Sequence, residues 1–156
     1  MADTAPSLAE LAAEEEELQF AGFSNDDAWE LGCALVAAAR RDDAPVAVGI
    51  TRHGQRLFHA ALPGTAPDND SWMARKTRVV DRFGHSSLYV RQASIERGTT
   101  FEAEFGLDPA RYAAHGGAFP VRVTSVGPVG TVVVSGLPQL ADHAMVVAAI
   151  RAHLAR

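Results

Sequence analysis

The chain has 156 residues, 47% of them hydrophobic and 21% charged, with a formal net charge of −5. That is one domain's worth of residues, with enough apolar material for a core and too much for wholesale disorder. A single cysteine, Cys33, excludes an internal disulfide and any cysteine-rich zinc or iron–sulfur site. No apolar run approaches the roughly 18 residues of a membrane span, and the start lacks the basic and apolar segments of a signal peptide. A soluble, cytoplasmic protein is expected.

Charge is unevenly spread. The first thirty residues hold nine acids and no Lys or Arg, which leaves the remainder at +4. That excess is too small for a concentrated basic face, so nucleic-acid binding is not expected. Thirteen of the fourteen basic residues are arginine, and the sole lysine is Lys76. A chain that writes nearly every cation as Arg singles out this position.

Ser7 followed by Glu10 fits a capping box, and Leu8, Leu11, Ala12 and Leu18 mark a helix. Its Glu14–Glu17 run reads as a solvated face, with docking of a basic partner as the other reading. Leu18–Phe23 suits a short strand or packed turn. Ser24 with Asp27 repeats the cap, and apolar spacing predicts a helix over 25–40. Cys33 within it reads as inert packing. Val46–Thr51 and Gln55–Leu62 form a predicted hairpin around His53-Gly54. Residues 63–70 read as loop, and a helix follows over 71–83, stopped by Gly84. Residues 86–98 are read as helix, and Asp108-Pro109 opens a short helix that ends at His115. Phe119–Val126 and Val129–Ser135 form a second predicted pair around Gly127-Pro128, and Pro138 opens a terminal helix to about Leu154. The order predicts an α+β sandwich with a central antiparallel sheet.

Two helices carry a polar residue on an apolar face. Trp72, Lys76, Val79, Val80 and Phe83 share about 100° of arc, with Arg75, Arg78 and Arg82 on the flank. Lys76 either snorkels to a rim or meets an anion, since an unpaired buried ammonium costs several kcal/mol. On the terminal helix Leu140, His143, Val147, Ile150 and Leu154 share about 80°, while Asp142 faces away. His143 is either a satisfied core histidine or a pocket residue able to ligate metal or haem iron. The other histidines lack H-x-x-x-H spacing, which excludes a zinc site assembled on one helix. Ser135-Gly136-Leu137-Pro138 leads a strand into a helix N-terminus but matches no phosphate-loop or dinucleotide pattern.

Gly116-Gly117-Ala118-Phe119-Pro120, then Val129-Gly130-Thr131-Val132-Val133-Val134-Ser135-Gly136-Leu137-Pro138-Gln139 and Asp142-His143, resemble the signature of the haem-degrading domain family. Gly64-Thr65, Asp68-Asn69, Trp72, Lys76 and Ser86-Ser87 resemble its small stand-alone branch. The larger branch usually carries a Gln-Asp or similar acidic pair where Asp142-His143 stands. The resemblance implies a profilin-like α-β-α sandwich over residues 18–156, preceded by an acidic helix or extension over 1–17. It also implies a homo-oligomer built from dimers, and haem or another apolar carboxylate as ligand. Lys76 would then meet the carboxylate, Trp72 and Phe119 would supply apolar contact, and His143 would ligate metal. Asn69 and Gly117, both within the matching motifs, complete the set. The competing functions are an oligomeric binding module, a haem-degrading enzyme, and an interaction protein docking through its acidic helix.

Overall fold

Serine caps start the first two helices. In α1 (Leu8–Glu17) the Ser7 hydroxyl accepts from Glu10 N–H, while the Glu10 carboxylate accepts from Ser7 N–H at 2.7 Å. Ser24 and Asp27 repeat the device at α2 (Asn25–Arg41), and the two-residue strand β1 (Gln19–Phe20) lies between them. His53 and Gly54, at φ 50° and 78°, turn β2 (Ala47–Arg52) into β3 (Gln55–Ala61). Two consecutive positive φ values match the twist of the flanking strands, as a two-residue hairpin requires. Then come α3 (Pro67–Phe83), α4 (Ser87–Glu96), α5 (Phe101–Phe105), β4 (Ala118–Val123), β5 (Gly127–Ser135) and α6 (Gln139–Leu154). The structure, a computed structural model, describes residues 4–156.

The five strands form one sheet in the order β1-β4-β5-β2-β3. All pairings are antiparallel except that of β1 with β4, which is parallel. Alternation along the strands divides the molecule into layers. Val46, Val48, Ile50, Val132, Val134, Phe119 and Val121 face the main core, which is closed by Leu31 and Leu35 of α2 and Val146, Val147 and Ile150 of α6. Ala47, Val133 and Ala118 face the other way, against Met73 and Val80 of α3. Outside α3, a third cluster of Val79, Val90, Phe101 and Ala114 joins it to α4 and α5. The result is the expected α-β-α sandwich.

Four local expectations are corrected. Residues 67–70 are helical, because Pro67 supplies the first-turn φ and Asn69 Oδ1 accepts from Ala66 N–H at 2.9 Å. The short helix falls at Phe101–Phe105, capped by Thr100, whereas Asp108-Pro109 makes only a turn. Arg75 and Arg78 hold the turn against α3, for their guanidinium groups donate to the Pro109 and Arg111 carbonyls. Gly127-Pro128 lies inside β5, and the chain reverses over 124–126 with Ser125 at φ 66°. Cys33 is exposed rather than packed.

The acidic helix is fastened to the rest of the chain. Glu15 is 3% exposed, and its carboxylate accepts from Ser86 N–H and lies 2.6 Å from His85 Nδ1. Glu14 meets His143 Nε2 at 2.9 Å, and Glu17 meets Arg151 at 3.4 Å. Only Glu16 and Glu17 remain on an exposed face, so a docking surface of four free carboxylates is not present. Glu15→Ala would leave the buried Ser86 N–H without its partner, an expected loss of about 2–3 kcal/mol. Hydrogen exchange of α1 reads the result, and unchanged protection there would contradict this anchoring.

Candidate functional site

Lys76 projects from the sheet-facing side of α3 and is 3% exposed. Its Nζ donates to Asp142 Oδ2 and to the Val134 carbonyl, each at 3.1 Å. Asp142 is 1% exposed. Besides Lys76 it accepts from Leu137 N–H at 3.0 Å and from Gly136 N–H at 3.3 Å. The β5–α6 junction thus folds back on the carboxylate of its own first helical turn. The anion that the lone lysine demanded is internal to the chain.

Asp142 is oriented as the helical wheel has it. It does face away from the apolar stripe of α6, but that direction leads into the protein, beneath α3. The missed signal was the pairing of two facts: an unexplained buried lysine, and an acid four to seven residues beyond a Ser-Gly-Leu-Pro turn.

Gly117 completes this floor, at φ 131°. A Cβ there would stand 2.6 Å from the Val134 carbonyl oxygen and 2.8 Å from Lys76 Nζ. No larger residue could let strand β4 begin so close to the ion pair.

Above the pair opens a cavity of about 300 Å³ lined by Asn69, Trp72, His115, Ser135, Gln139 and Asp142, among others. The Asn69 amide nitrogen stands 3.5 Å from both the carbonyl and the hydroxyl oxygen of Ser135. Gln139 Oε1 accepts from Gly116 N–H, which leaves its amide N–H₂ as a donor. Trp72 is held edge-on against His115 at 5.1 Å and is covered on one face by Arg75 at 4.4 Å.

Of the six residues singled out in the sequence, Asn69, Trp72 and Lys76 line this cavity, and Gly117 lies beneath its floor. His143 and Phe119 do neither. His143 is buried between α6 and α1, with Nε2 engaged by Glu14 and Nδ1 without a hydrogen-bond partner among the described residues. It edges a separate cavity of about 320 Å³ with Leu140, Ala144 and Val147. Phe119 is a core residue, 6.1 Å from the His143 ring.

Burial pushes the Lys76 ammonium below the ordinary lysine range, opposed by the Asp142 charge beside it. Burial raises the Asp142 carboxyl, opposed by Lys76 and by the two N–H donors. At the rim, burial lowers His115, with Arg91 and Lys76 adding repulsion. Burial also lowers His153, with Arg156 adding repulsion. A histidine lowered in the fold binds fewer protons than it does unfolded, so stability rises with pH through that window. Acidification from about pH 7.5 to 5 should therefore lower Tm. His115→Gln should make that fall shallower, and a variant with an unchanged slope would remove His115 from the balance.

The fold and site define an α+β sandwich domain with a buried lysine–aspartate pair under a small polar cavity. The chain belongs to the family described as haem-degrading protein HbpS-like, whose model matches residues 23–151. A UPF0303 protein of Streptomyces coelicolor is 59% identical over 149 residues, covering 96% of this chain and 94% of its own length. The crystal structure of the Ybr137w protein superposes with a TM-score of 0.88 at 34% identity, over 97% of this chain and 90% of that one. A PduOC–haem complex shares the fold, with a TM-score of 0.69 at 18% identity, over 84% of this chain and 94% of that one. None of the described helices is long and apolar enough to cross a membrane.

Proposed function

We propose that this chain is a small-molecule-binding module that works as a homo-oligomer, with its ligand entering the cavity above Lys76 and Asp142. The single observation that carries this reading is the buried ion pair at the floor of an open, donor-lined cavity. Lys76 has three ammonium protons and two acceptors among its partners, Asp142 and the Val134 carbonyl, so one proton remains for a ligand anion. Asn69 and Gln139 add amide donors, and Trp72 adds an apolar wall.

Haem is the ligand to test first, because a relative of this fold is a haem complex. About 300 Å³ lies at the small end of ligand pockets, too little to enclose a tetrapyrrole. Lys76 would hold a propionate, Trp72 would supply apolar contact to the macrocycle, and His115 would offer an imidazole at the rim. His143 borders the separate cavity beside α1 instead, with its Nε2 engaged by Glu14. Haem would supply the iron chemistry, and the residues of this chain bind and orient it. Exposed Trp29 (63%) beside Phe58 on the edge strand β3 supports a subunit contact.

The test is a hemin titration of the purified protein, followed by absorbance, with Lys76→Met, Trp72→Ala and His143→Ala. Saturable binding weakened by Trp72→Ala, which leaves the ion pair intact, supports the cavity. Binding lost only in His143→Ala would move the site to the α1–α6 face. An unsaturable titration would remove haem and leave other small acids.

A further inference from the structure

Lys76 is the sole lysine of the chain and its amine is buried, yet the cavity reaches it. A purely structural ion pair has no need of a cavity, and a surface lysine would be solvated and held as ammonium. A different chemistry asks for this arrangement: an amine in a desolvated pocket, a carboxylate in contact with it to carry protons, and room for a short substrate. Asp142 Oδ2 lies 3.1 Å from Nζ, within proton-transfer distance. The donors of Asn69 and Gln139 stand around the same space, suited to a carboxylate attached to the reacting carbon.

We propose that Lys76 captures short aldehydes or 2-oxo acids as an imine, with Asp142 as the proton carrier. The proposal rests on the reading that the cavity above Lys76 takes a small ligand, and it names the chemical class of that ligand. Asp142 takes a proton from the ammonium, and the freed nitrogen pair attacks the carbonyl carbon. The carbonyl π pair moves to oxygen, which takes the proton back from Asp142. Asp142 then takes a second proton from nitrogen and delivers it to the hydroxyl. The nitrogen pair forms the C=N bond as water leaves. An ammonium and a carbonyl have become a protonated imine and one water, with total charge unchanged and no redox partner required. Burial, which lowers Lys76 and raises Asp142, favours the proton exchange on which both steps depend.

The test exploits the single lysine. The intact protein is incubated with pyruvate or glyoxylate and then treated with borohydride, and peptides are mapped by mass. The N-terminal amine is the other primary amine in the chain, so the position of a reduced adduct is unambiguous. The expected result is one reduced adduct per chain, located on Lys76 and absent in Lys76→Met and in Lys76→Arg, which keeps the cation. Asp142→Asn should slow trapping by about a hundredfold, while circular dichroism shows the fold retained. An adduct confined to the N-terminus overturns the proposal.

Trp72 fluorescence, in a Trp29→Phe background, separates the two levels of the reading. Saturation by both pyruvate and lactate with no trapped adduct overturns the imine and leaves the binding cavity standing. No saturation by either, and no adduct, removes small acids from the cavity and the imine with them.

Discussion

Lys76→Met is expected to destabilise the fold by about 3–5 kcal/mol, because it leaves the Asp142 carboxylate buried without its cation. For a domain of this size that corresponds to a fall in Tm of roughly 6–20 °C. The size follows from geometry. Asp142 is nearly inaccessible and is left with the Leu137 and Gly136 N–H groups as partners. Removing both charges is a separate case. Lys76→Met combined with Asp142→Leu should recover part of the loss, since well-packed apolar pairs replace buried ion pairs at little cost. Recovery should stop short of wild type, because the Gly136 and Leu137 N–H groups lose their acceptor. Chemical denaturation of the two single variants and the double variant measures the coupling. A double variant as unstable as the sum of the singles would show that the two side chains do not act as a pair.

The second large effect belongs to Gly117→Ala, at about 2–5 kcal/mol from backbone strain and crowding together. At φ 131° the new methyl group meets the Val134 carbonyl, Lys76 Nζ and Asp142 Cβ, the last at 3.0 Å. Strand β4 must then move, or the ion pair must open. Gly98→Ala is the control, since Gly98 also has positive φ, at 80°, but nothing lies within 4 Å of its added Cβ. Its cost should stay near the left-handed strain alone, about 1–2 kcal/mol. Equal losses in the two variants would mean that the crowding under Lys76 does not matter. Ligand affinity should fall for Gly117→Ala and stay unchanged for Gly98→Ala.

Local chemistry made most of the fold legible. Serine caps, the His53-Gly54 turn and the valine-rich runs in 46–51 and 129–135 act over a few residues, so their meaning survives without tertiary context. Expectation failed where a remote partner decided the outcome. Pro109 looks like a helix start, but Arg75 and Arg78 hold the backbone there in a turn. The Glu14–Glu17 run looks solvated, but the Ser86 N–H and His143 draw two of its carboxylates inward.

The sequence by itself determined the α+β class, the family resemblance, and the singularity of Lys76, all of which depend on residue type and near spacing. Tertiary structure alone decided that Asp142, 66 positions away, is the partner of Lys76. It alone decided that Gly117 lies beneath both, and that His143 turns to α1 instead of the cavity. A helical wheel orders the residues of one helix around its own axis. It does not show what lies on each side, and a polar residue turned from one apolar layer meets either water or a second layer of protein. In this fold α3 supplies that second layer, and Asp142 is buried beneath it.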